Sequence, residues 1–104
     1  MTHKQLFDLL NTIEIPVAYS HFDSNKNLIP PFMVYRETSP DTFKAENKTY
    51  YKHLNFEIEL VTEKKNVLLE SQIEALLDSN NIPYDKLDEV WDNDEKIYHN
   101  FYEL

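Results

Sequence analysis

The chain contains no glycine among its 104 residues. Glycine enters left-handed backbone geometry without steric cost, so every tight turn here must be made by other residues. Asn and Asp tolerate that geometry best among the rest, and proline shapes turns through its locked φ. Such residues stand between the apolar runs: Asp23-Ser24-Asn25-Lys26-Asn27, Asn80-Asn81 and Asp92-Asn93-Asp94, with Pro30-Pro31 stiffening the entry to one run. The same absence removes the glycine-dependent phosphate loops, the P-loop and the dinucleotide fingerprint, and also the nucleophile elbow. Cysteine is missing too, which excludes disulfides, thiol catalysis and thiolate metal sites.

The runs between the turns have readable periods. Leu6, Leu9, Leu10 and Ile13 follow i, i+3, i+4, i+7, the stripe of an amphipathic helix. Thr2 and Gln5 fit a capping box, and Pro16 forces the preceding residue toward extended geometry. A helix is expected over 3–13. Residues 17–22 and 32–36 read as strands. The clearest strand runs over 53–61, where Leu54, Phe56, Ile58 and Leu60 alternate with Asn55, Glu57 and Glu59, the pattern of an antiparallel strand with one wet face. A second helix is expected over 66–79 from Leu69, Ile73, Leu76 and Leu77, with Asn66 as cap, Asn80-Asn81 as stop, and Glu70 and Glu74 mostly on its outer side. Residues 82–84 suit a short extended piece, and 96–104 a last strand. Consecutive strands suit antiparallel pairing. The expected fold is therefore a single α+β domain over 1–104: a mainly antiparallel sheet with two helices packed on one face, in the order α-β-β-β-α-β, with a possible further strand.

Charge is unevenly placed. The chain has 19 acidic and 10 basic residues, net -9. Residues 1–52 hold six of each sign, so the entire excess lies in residues 53–104. An acidic surface repels nucleic-acid phosphates, so specific nucleic-acid binding is not expected. It suits a solvated face, a basic partner, or a surface to which nucleic acid does not stick. No run reaches the length of a membrane span, and the N-terminus lacks the apolar core of a signal peptide, so a soluble intracellular protein is expected.

Chemical signatures are sparse. His3, His21, His53 and His99 show no spacing that builds a zinc site on one element. Asp92-Asn93-Asp94-Glu95, with Glu103 beyond, imitates a calcium loop, but Ile97 stands where that loop needs glycine. Glu57 and Glu59 share one strand face; such a pair can do acid–base work, yet a solvated face explains it more simply, since like charges there need water or basic partners. Asn47-Lys48-Thr49 has the form of a glycosylation acceptor, idle without secretion. Seven Tyr, six Phe and one Trp suit core and interface better than base stacking, which comes with basic grooves. Phe43 is the one large apolar residue of the polar stretch 38–48, where it either tucks back or docks on a partner. No cofactor, metal site or catalytic residue is expected, and an enzyme is disfavoured.

Several segments together carry a resemblance: Ile15-Pro16 with Tyr19 and Phe22; Pro31-Phe32 with Tyr35; Tyr51 with Phe56-Glu57-Ile58-Glu59-Leu60 and Thr62-Glu63-Lys64-Lys65; Ile73-Glu74 and Leu77; Tyr84-Asp85-Lys86; and Asp94-Glu95-Lys96 with Tyr98, Tyr102 and Glu103. The whole pattern resembles the small head–tail joining, or tail-completion, proteins of siphophages and Gram-positive prophages. The resemblance covers nearly the whole chain and implies a structural role in the virion, made in the bacterial host cytoplasm. Such proteins form rings, commonly of six subunits, that cap the tail tube and meet the head connector, on a small α+β sheet packed with helices. It brings no catalytic residues. It implies self-association and contacts with tail-tube and connector proteins, for which Asp41, Phe43 and Lys44 are the candidate subunit interface. A closed ring needs a heterologous interface, and genome passes through its bore, so Glu57 and Glu59 are candidate channel-facing acids. The alternative reading is an acidic binding protein that occupies a basic partner, as a nucleic-acid mimic or an inhibitor of a basic nuclease or toxin.

Overall fold

The computed structural model describes residues 1–21, 28–38 and 55–104. Eight elements follow one another: α1 (His3–Leu10), β1 (Val17–Tyr19), β2 (Phe32–Thr38), β3 (Asn55–Thr62), α2 (Val67–Ser79), β4 (Asp85–Lys86), β5 (Val90–Asp92) and β6 (Ile97–Glu103). The fold is α+β. Its six-stranded open sheet has the order β1-β2-β3-β6-β4, with β5 also on β6.

Local chemistry sets the helix ends. Thr2 caps α1 through a full capping box: its hydroxyl accepts from the Gln5 amide, and the Gln5 side chain accepts from the Thr2 amide at 2.8 Å. α1 ends at Leu10, earlier than the apolar stripe suggests, yet Ile13 still reaches the core through the following turn. Asn66 caps α2 by accepting from the Leu69 amide, and Asn81 ends it at φ 56°, the left-handed stop expected of Asn-Asn.

The pairing is antiparallel except in one place. β2–β3 and β3–β6 are antiparallel, whereas β1 runs parallel to β2, Val17 opposite Met33. Strands that follow each other are thus not all hairpin-paired. A parallel pair needs a crossover of about a dozen residues, and the sequence separation between Tyr19 and Phe32 is long enough for one. β1 stops at Tyr19, because Ser20 turns to φ 65° and its amide donates to the Tyr35 carbonyl. β4 and β5 are one edge strand in two pieces. Between Lys86 opposite Tyr102 and Val90 opposite His99, Leu87, Asp88 and Glu89 face only Asn100 and Phe101, so one residue is extra. That is a β-bulge, and it blunts an otherwise open sheet edge.

The register assigns the faces. Met33, Tyr35, Phe56, Ile58, Leu60 and Tyr102 share one face and meet Leu6 and Leu10 of α1 and Leu69, Ile73 and Leu77 of α2 in a single core. Each fully buried aliphatic there contributes about 1.5–3 kcal/mol by leaving water. Both helices lie on that face. The other face carries Val34, Arg36, Glu57, Glu59, Val61, His99 and Phe101, and neither helix covers it. Val34 and Val61 are nonetheless buried; by register Val34 sits opposite Glu59, and Val61 between Phe32 and His99.

Candidate functional site

Three places gather chemistry. The first is the face without helices. Glu57 and Glu59 do lie side by side on β3, but Arg36 on β2 reaches both, donating to Glu57 Oε1 at 2.6 Å and to Glu59 Oε1 at 2.9 Å. His99 Nδ1 contacts the other oxygen of Glu59 from β6. Burial pulls the Arg36 pKa down, but the hydrogen bonds and charges of Glu59 and Glu57 outweigh it and hold the guanidinium above its ordinary value. The two candidate channel acids are thus drawn into ion pairs, and the basic partner that a like-charge pair requires is Arg36. Beside them Glu103 stands opposite both Glu57 and Asp85, a row of carboxylates with one arginine at its end.

The second place is the seam between α2 and the sheet, and here the expected outer position of Glu70 is corrected. Glu70 is 2% exposed. Its spacing alone suggested solvent, because helix periodicity puts it beside Leu69 but cannot show where lysines from other elements arrive. Lys86 of β4 donates to Glu70 Oε1 at 2.9 Å and to Glu74 Oε2 at 3.2 Å. Lys65 lies 2.9 Å from Glu70 Oε2 and donates to Glu89 at 2.8 Å. Burial pushes the Glu70 carboxyl up, but hydrogen bonds from Lys86 and Lys65 prevail and keep it below its ordinary value. The Tyr102 hydroxyl donates to Glu74 at 3.0 Å, and burial together with that carboxylate raises its pKa far above a normal phenol.

The third place is one end of the sheet, where β2 begins, β3 ends and β5 turns into β6. A groove of about 540 Å³ is floored by Leu28, Pro30, Phe32 and Ile97 and rimmed by Glu63, Lys64, Glu95 and Lys96. The most exposed large aliphatics of the described residues are Ile29 at 74%, Leu68 at 71% and Val67 at 62%; Ile29 shortly precedes β2, and Val67 and Leu68 open α2 just after β3. Val67 and Leu68 fall outside the α2 stripe of Leu69, Ile73 and Leu77, which is the sequence signal that could have marked them.

The remaining candidates are quickly placed. Asp92 is committed to its turn: its Oδ1 accepts from the amides of Asp94 and Glu95, and Lys96 closes the turn at φ 60°. His3 packs edge-on against Tyr19 and Phe56. Among the described residues no group of three His, Cys, Asp or Glu side chains is arranged to hold a metal, and no helix is long and apolar enough to cross a membrane. Asp41, Phe43 and Lys44, with Phe22, the turn at 23–27, His53, Leu54 and the tyrosines at 50 and 51, lie outside the described residues. Compared with known proteins, the chain matches no family model, no curated protein and no solved structure.

Proposed function

We propose that this chain is a structural subunit of a phage head–tail interface, a tail terminator whose ring caps the tail tube and joins it to the head connector. The observation that supports this most directly is the apolar end of the sheet. Solvent-facing Ile29, Val67 and Leu68, on the segments that enter β2 and leave β3, are the kind of apolar side chains that protein–protein contacts cover. The chemistry of the carboxylates agrees with an assembly role: Glu57, Glu59, Glu70 and Glu74 are tied into ion pairs or hydrogen bonds that hold elements together. The resemblance spread along the chain supplies the specific assembly. In such a ring Asp85, Glu103, Asp94 and Glu95, exposed and without an ion pair among the described residues, are better suited than Glu57 and Glu59 to keep passing DNA from sticking, since Arg36 offsets the latter pair.

The test is light scattering of the purified protein, alone and with its tail-tube protein. A mass near six subunits in either sample supports the terminator. A monomer in both, at high concentration, overturns it. A second reading, an acidic protein that occupies a basic partner, is favoured by the run of exposed acids over 85–95, where Asp85, Asp88, Glu89, Asp94 and Glu95 all face solvent. It predicts a one-to-one complex with a basic nuclease or toxin and no ring.

A further inference from the structure

The α2 seam contains more buried polarity than its ion pairs satisfy. Asn100 on β6 is 1% exposed and Thr62 on β3 is 3% exposed. Neither Asn100 Oδ1, Asn100 Nδ2 nor Thr62 Oγ1 has a hydrogen-bond partner among the described residues. Glu70 Oε2, although 2.9 Å from Lys65 Nζ, also lacks a hydrogen bond.

These atoms share the helix-covered face of the sheet. Asn100 pairs with Leu60, and Thr62 with Tyr98, so Asn100 and Thr62 are diagonal neighbours on the helix-covered face, within reach of each other's surroundings. α2 returns over this face from Thr62. Its Glu74 meets Tyr102, and Glu70, one turn earlier, is held by Lys65 and Lys86. The α2 carboxylate thus lies over the same helix-covered face as the Asn100 amide and the Thr62 hydroxyl.

We propose that this seam is a binding site for an internal water molecule, held by Asn100, Thr62 and Glu70. The chemistry matches in both directions. The water accepts from the Asn100 amide and donates to the Glu70 carboxylate and to the Thr62 oxygen, three bonds, the number typical of buried waters. Without it, several buried polar atoms would pay a desolvation cost with nothing in return. The water also extends the ion-pair network of α2 into the middle of the sheet, so that the seam is polar from Lys65 to Thr62.

The substitution Thr62→Val tests this by sign. If the hydroxyl holds a water, Val removes a bond from a shared network, and the urea midpoint falls. If the hydroxyl is simply buried and unpaired, Val removes a cost, and the midpoint rises. The second measurement needs no variant: in the folded wild-type protein, water–protein cross-relaxation is expected at the Asn100 side-chain amide protons, with the sign of a long-lived bound water. A Thr62→Val midpoint that is raised or unchanged overturns the proposal, as does the absence of that cross-peak.

Discussion

The two faces of the sheet solve one electrostatic problem differently. Each holds a pair of glutamates whose charges must be balanced. On the face without helices, Arg36 alone spans Glu57 and Glu59, and its planar fork matches two carboxylates on adjacent same-face positions. On the helix-covered face, Glu70 is almost removed from water and is met by two lysines, while Glu74 shares one of them and a tyrosine hydroxyl. The difference teaches that burial, not spacing, sets how many partners a carboxylate needs. A deeply buried charge is tolerated only when its desolvation is offset from more than one side.

Substitutions can break this contrast at graded cost. The largest loss is expected from the apolar ground beneath the seam: Ile73→Ala should cost about 3 kcal/mol, the usual range for a fully buried aliphatic, read as a lower urea midpoint with the slope unchanged. Next comes Lys86→Met, expected to cost about 2 kcal/mol. Removing one partner of a buried pair costs about 3–5 kcal/mol, but Lys86 is 39% exposed and Lys65 remains, so the loss is smaller.

Acid sharpens the contrast further. The Glu70 carboxyl is held below its ordinary value of 4.5. Its contribution is therefore complete above the unfolded-state value and lost as pH falls through the folded-state value. Urea midpoints followed downward from about pH 6 should drop more steeply in the wild type than in Glu70→Gln, and equal slopes would place the acid sensitivity elsewhere. The smallest effect is expected at Arg36→Met, about 1 kcal/mol, since partly exposed pairs contribute little. Added salt should shrink that difference more than it shrinks the Lys86 difference, because exposed charges are screened more strongly.

Much of the fold was legible in local sequence. The capping box of Thr2 and Gln5, the Asn66 cap, the Asn81 stop and the alternation of Phe56, Ile58 and Leu60 all depend on neighbours within four residues. The turn at Asp92 was legible for the same reason. The parallel β1–β2 pair was not, because the direction of pairing is settled between strands and not within either one. The edge strand over 85–92 was also hidden: its side chains are polar and exposed, and its bulge breaks any period.

The absence of glycine determined by itself that left-handed turns would fall to other residues and that glycine-built phosphate loops were unavailable. It did not determine which residues would take the strain. Asn81 was foreseeable from its side chain, whereas Ser20, where β1 ends, and Lys96, where β5 turns into β6, adopt positive φ without such a signal. The net charge of the second half was likewise written in the sequence. Which of those acids are neutralised was decided only when Arg36 was laid across β3 and Lys65 and Lys86 were brought to α2. Charge is a property of residues, but its compensation depends on distances between elements far apart in the chain.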